Sequence, residues 1–302
     1  MQRMVVLFAV FAVAAGAFWW LVHGGGTKIP LAEELPFPER LAAEEPPTDD
    51  PWTDENWLVP HYERACQAVE SICGAPFEVR PTLRVGTGVE LSDLYRLTAM
   101  EYARRANEPM PPDLPGNEAM FAKYAKYQWG RYFREAHAIT VSREAFDRYE
   151  DDLRDSLHGG DGVTLILVHE LTHAWQHERF PELWRENEGM FQEDEEAGDC
   201  AWAAVEGHAQ HVTRLVAERW GMRSAFRDFR AYYERLDRGN PKGKPLKSKE
   251  NWRLYVAGQD FMDTLHRRGG NELVLEALAH PPTRWKQIYE PLRWITAREN
   301  GD

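Results

Sequence analysis

Residues 164–180 read TLILVHELTHAWQHERF. The lead-in VTLIL, from Val163, is apolar without a polar stripe. A helix there is buried and presents whatever it carries at the floor of a cleft. His169 and His173 are four apart, and helix positions i and i+4 lie on one face, one turn apart. Both imidazoles can therefore aim at one point, as two zinc ligands do. Glu170 projects about 100° round from His169. That puts it beside such an ion rather than on it, where a carboxylate acts as general base toward water. The competing reading is a helix with two surface histidines. The coincidence of the pair, the intervening glutamate and the apolar lead-in argues against it.

A catalytic zinc site needs a third protein ligand. An extended histidine motif would require glycine at 176 and histidine at 179. The chain has Gln176 and Arg179, so that form is excluded. His177 lies one turn beyond His173, but three ligands stacked along one helix would spread over about 12 Å, so His177 reads as a surface residue. The stretch CAWAAVEGHAQHVT, 200–213, offers a better donor. Glu206 is the only carboxylate between Asp199 and Arg214, and its neighbours are mostly apolar. A lone buried carboxylate is costly unless paired or metal-bound; a buried Glu–Arg pair is the other solution. Gly207 costs about 1 kcal/mol against alanine inside a helix, which calls for close approach of another helix.

HELTH followed by AVEGHAQ resembles the gluzincin class of zinc metallopeptidases. The C-terminal stretch YVAGQDFMDTLHRRGGNELVLEALAHPPTRWKQIYEP is similar to uncharacterised bacterial zincin-like proteins. Together the resemblance covers roughly 138–290. It implies one Zn²⁺ per chain held by His169, His173 and Glu206, with Glu170 as the base. It also implies a short edge strand ahead of the active-site helix that binds extended peptide by strand addition; AITVS, 138–142, is the matching segment. Gluzincins often place an acid four residues after the ligand glutamate to orient a histidine. Here that position is Gln210, whose carbonyl oxygen can still accept a hydrogen bond. Tyr255, His208 and His211 are candidate donors to an oxyanion, with Tyr255 favoured.

Helical spacing recurs through the C-terminal half, with the strands FEVRPTLRVG (77–86) and AITVS ahead of residue 164. That pattern is α+β rather than alternating βαβ. The resemblance implies a zincin-like fold, with a small N-terminal mixed sheet, an active-site helix and a mainly helical C-terminal half. Pro81 marks the first strand as an edge or bulged one. EAMFAKYAKYQWGRYFREA, 118–136, reads as an aromatic helix, and the acids of 192–199 as complements to a helix dipole.

Residues 4–22 carry no charge and would span about 28 Å as a helix, close to a bilayer core. Residues 1–23 therefore read as a transmembrane anchor, or as a signal peptide if AGA at 15–17 is cleaved. Residues 24–56 read as a proline-rich acidic linker and 57–302 as the metallopeptidase domain. The expected place is membrane-anchored and extracytoplasmic, or secreted after cleavage. Cys66 and Cys73 can bridge only if the helix carrying Cys66 ends before Cys73; Cys200 reads as a buried thiol. The net charge of −13 argues against nucleic acid as a partner. Half of the lysines fall in 240–251, which reads as a solvated loop.

The expected activity is zinc-dependent hydrolysis of a peptide or protein substrate. The alternatives are hydrolysis of a non-peptide amide, or a tethered binding or assembly module on the same fold.

Overall fold

The computed structural model describes residues 35–40, 55–105, 129–142, 160–183, 194–238 and 252–300. The expected anchor at 4–22 and the lysine-rich loop lie outside these residues. Among the described residues no helix is long and apolar enough to cross a membrane.

The element order is α1 (Glu55–Cys73), β1 (Thr82–Gly86), α2 (Ser92–Arg105), β2 (Gly130–Phe133), β3 (Ala138–Ser142), α3 (Gly160–Arg179), α4 (Glu195–Arg219), α5 (Arg223–Arg238), a π-helical turn (Trp252–Ala257), α6 (Gly258–Ala279), α7 (Trp285–Tyr289) and α8 (Pro291–Asn300). The class is α+β, mostly helical, with one small mixed sheet. Helix α6 bends at Gly269 and Gly270, where the backbone leaves the helical region, as the Gly-Gly in the sequence suggests.

The sheet order is β1-β3-β2. Strand β3 pairs in parallel with β1, Ile139 opposite Leu83, and antiparallel with β2, Ile139 opposite Tyr132. AITVS is therefore the central strand, not the edge expected from its position before the active-site helix. The reason is β2, which lies inside the 118–136 stretch expected to be an aromatic helix. GRYF is only four residues long, too short for alternation to declare itself. His137 closes the β2–β3 hairpin in the left-handed region, φ 46°. Its ring bonds the Val79 carbonyl at 2.7 Å and the Tyr132 hydroxyl at 3.2 Å, which fixes that corner.

Helix α3 is enclosed on every side, as its lead-in requires. Val163 to His169 and Leu171 to Gln176 are all buried, so no polar face survives except at Glu170. It packs against α1, α4, α5 and the sheet. Helix α3 begins at Gly160, three residues before the apolar run. Helix α4 is nearly as enclosed and crosses α6 at close range. A Cβ built on Gly207 would lie 2.2 Å from the Gly258 carbonyl carbon, and one on Gly258 would lie 2.1 Å from the Ala203 oxygen. Only glycine permits that approach, which is the close contact inferred from Gly207.

Asp194 caps α4, accepting from the Ala197 N–H at 3.1 Å and pairing with Arg284 at 2.7 Å. Cys66 and Cys73 lie in the same continuous helix, α1, so they cannot bridge; these two and Cys200 are buried free thiols. Residues 35–40 fall inside the expected linker yet dock on the body. Arg40 pairs with Asp161 at 2.7 Å, and Trp220 donates to the Pro38 carbonyl at 2.9 Å.

Gly207→Ala is expected to lower the unfolding free energy by about 1–3 kcal/mol through overpacking. A urea titration checks this. An unchanged midpoint would mean the helices do not cross this closely.

Candidate metal centre

Helix α3 supplies His169 and His173, and α4 supplies Glu206. The structure brings these three together. His169 Nε2 and His173 Nε2 are 3.2 Å apart, and each lies 3.3 Å from Glu206 Oε2. The three residues are only 3%, 6% and 4% exposed. For ligands about 2.0–2.1 Å from a tetrahedral zinc, adjacent donor atoms are about 3.3–3.4 Å apart. The observed triangle has that edge length. Two imidazole nitrogens and a carboxylate oxygen also match the donor preferences of zinc. A second sign comes from Glu206 Oε2 itself, which is buried without a conventional hydrogen bond. These residues fit a metal ion and could hold one.

Electrostatics bind the three groups together even without a cation. Burial pushes the Glu206 carboxyl upward, but the charges and close 3.3 Å contacts of His173 and His169 overcome it and bring it down to about 2. Burial pulls His173 downward, but the Glu206 carboxylate and the nearby Glu170 raise it to about 9. Both shifts favour a protonated His173 beside an ionised Glu206.

The two histidines of the triangle are held by their surroundings. His169 sits between aromatic rings, with Tyr255 stacked on it at 6.0 Å and Phe229 edge-on at 6.1 Å. His173 Nδ1 donates to Gln176 Oε1 at 2.9 Å. Gln210, the expected orienting residue, does not do this. It is buried on α4, and its amide makes no hydrogen bond among the described residues. Gln176 replaces it because a side chain three residues on from His173 reaches the ring from the same helix. The sequence showed Gln176 only as the residue that rules out an extended histidine motif.

Glu170 is the one residue of HELTH that is not buried. It is partly exposed, and its Oε2 accepts the Tyr132 backbone N–H from β2 at 2.7 Å. That approach needs Gly130, where a Cβ would lie 2.5 Å from Ile166 and 3.1 Å from Glu170. Strand β2, at the sheet edge, thus runs beside the site.

The π-helical turn carries Tyr255 to the metal centre. Its ring is partly buried, stacked on Tyr233 at 4.0 Å. Burial, the Glu206 charge and Tyr233 push its hydroxyl well above the ordinary tyrosine range, so it stays a donor. His211 takes a different role from the one considered. It bonds Asp263 on α6, which Arg214 also reaches at 3.0 Å. His208 faces Gln176 at 3.0 Å. His177 is half-buried rather than on the surface, bonded to the Tyr132 hydroxyl at 2.9 Å, and is no part of the triangle.

Comparison with known proteins returns nothing. No family model, curated protein or solved structure matches this chain significantly.

The proton at the centre sets a pH dependence of defined sign. His173 is raised, so its contribution to stability is complete below 6.5 and is lost as pH rises through about 9. Glu206 is lowered, so its contribution is complete above 4.5 and is lost as pH falls through about 2. The metal-free protein gains most from this pair between pH 4.5 and 6.5. A metal must displace the His173 proton, so zinc affinity should rise about tenfold per pH unit up to about pH 9. Competition with a chromophoric chelator across pH measures this, and a flat profile would contradict it.

Proposed function

We propose that this chain is a zinc-dependent hydrolase of peptide bonds, of gluzincin type, acting on a peptide or protein substrate. The observation that carries the reading is the tetrahedral-edge triangle of His169, His173 and Glu206, with the partly exposed Glu170 next to His169 on the same helix. Zinc is the natural ion for two imidazoles and a carboxylate, and when bound it lowers the pKa of water and polarises a carbonyl.

The chain's own residues do the rest. Glu170 Oε2 is held by the β2 backbone, which leaves Oε1 to accept a proton from the attacking water and return it to the leaving amine. The Tyr132 N–H fixes that carboxylate without neutralising it. Tyr255, stacked on His169, supplies a hydroxyl donor for the negative charge that develops on the carbonyl oxygen. The burial of the three ligands keeps bulk water from the centre, which strengthens each of these interactions.

Substrate binding falls to β2 rather than β3. Strand β3 is paired on both sides, whereas β2 pairs only with β3 among the described residues. An extended peptide adding to the outer edge of β2 would run past Glu170. The uncharged run at 4–22 supports tethering at a membrane with the catalytic domain outside the cytoplasm.

The test uses the purified full-length protein. Elemental analysis should find about one zinc per chain, lost in His169→Ala and in Glu206→Ala. A peptide library should be cleaved by the parent. Glu170→Gln should keep its zinc and lose roughly 10²–10⁴-fold in turnover. Full activity in that variant would overturn the mechanism.

A further inference from the structure

Gln176 makes three hydrogen bonds, and their directions can be assigned. Its Nε2 lies 2.8 Å from the backbone oxygen of Val205. A carbonyl oxygen can only accept, so the amide NH₂ must point there. The opposite end of the amide is therefore the acceptor, and it faces His173 Nδ1 at 2.9 Å. His173 must then carry a proton on Nδ1. Once deprotonated at its other nitrogen, its lone pair is on Nε2, the atom facing His169 and Glu206. The second Nε2 hydrogen of Gln176 faces His208 Nδ1 at 3.0 Å, so that nitrogen accepts.

The alternative orientation fails at two places. It would set the amide oxygen against the Val205 oxygen. It would also present NH₂ to His173 Nδ1, driving the neutral ring's proton onto Nε2, where a metal would have to displace it.

We infer that Gln176 is a positioning residue that presents His173 to the metal in the binding-competent tautomer, under the control of the Val205 carbonyl on the neighbouring helix. Val205 immediately precedes Glu206. One amide thus ties a ligand on α3 to the backbone beside a ligand on α4. The clamp registers the two helices against each other at the metal centre. It is also neutral, so it orients the imidazole without adding a second buried carboxylate to a site that already contains Glu206. All three partners are enclosed: Gln176 is 0% and His208 2% exposed, and Val205 is fully buried. Water does not compete for these bonds, which is why losing them matters.

This inference rests on the metal-centre reading for its consequence, though not for its geometry, and two experiments separate them. The first needs no metal. Histidine-ring nitrogen spectra of the metal-free full-length protein should show neutral His208 protonated on Nε2 and bare on Nδ1. A proton on His208 Nδ1 would overturn the amide orientation. The second compares zinc affinity, by chelator competition, in the parent and in Gln176→Met, which keeps the length and apolar volume but removes the hydrogen bonds. Affinity should fall roughly 10–100-fold, while the metal-free variant melts within a few degrees of the parent. An unchanged zinc affinity would overturn the positioning role. A variant that melts far lower, with affinity unchanged in its folded fraction, would assign Gln176 to stability alone. A parent that takes up no zinc would sink the proposed function, while the His208 spectrum would still report on the amide.

Discussion

The carboxylate of Glu206 is buried between two imidazoles in the middle of the molecule, and most of the architecture follows from having to keep it there. An isolated carboxylate in such a place would shift its pKa and take up a proton. Here two histidines one helical turn apart meet it on one oxygen, so the ionised form persists. Removing either partner would leave a charge with no compensation, which costs more than an exposed ion pair ever returns. The centre is therefore a structural obligation as well as a site. Without a metal, the same contacts raise the proton affinity of His173 and lower that of Glu206.

Holding that geometry requires two helices to stay in register. Helix α3 is anchored by the near-complete burial of residues 163–176, all but Glu170, so it cannot rotate without exposing apolar surface. Helix α4 is positioned from its other side by α6, through backbone contact at Gly207 and Gly258. The same contact sets where α6 begins, and so where the π-helical turn places Tyr255 against His169. π-Helical turns recur at functional sites because the extra residue re-aims a side chain. On the sheet side, Gly130 lets β2 approach close enough for the Tyr132 N–H to reach Glu170. Two of these placements, α4 against α6 and β2 against α3, depend on a close approach that a single added methyl group would block.

Much of this was legible in the sequence. His169, Glu170 and His173 declared themselves because the i, i+4 spacing fixes their common face whatever the rest of the chain does. Glu206 stood out as a lone carboxylate in an apolar helix, and Gly207 as a glycine whose cost needed a reason; both readings depend only on local composition and solvation. The parts that did not show are those settled by tertiary contact. GRYF is too short to display a strand period and follows a helical-looking aromatic stretch, so β2 was hidden and β3 was mistaken for the edge. Gln176 looked like a mere failure to be glycine, because nothing in a linear motif says that an amide will meet a carbonyl from another helix. Gln210 occupies the expected spacing for an orienting residue but makes no hydrogen bond to a histidine. Cys66 and Cys73 lie in one helix, because α1 continues to Cys73 before the chain turns at Gly74.

The central claim is that three side chains from two helices form one metal centre. X-ray absorption of the zinc-loaded full-length protein tests it most directly, because it reads the identity and distance of the bound atoms without reference to any substrate. The account predicts a first shell of nitrogen and oxygen only, at about 2.0–2.1 Å, with multiple-scattering features of two imidazoles and no sulfur. A shell containing sulfur from any of the three cysteines, or one with a single imidazole, would place the metal elsewhere and contradict it.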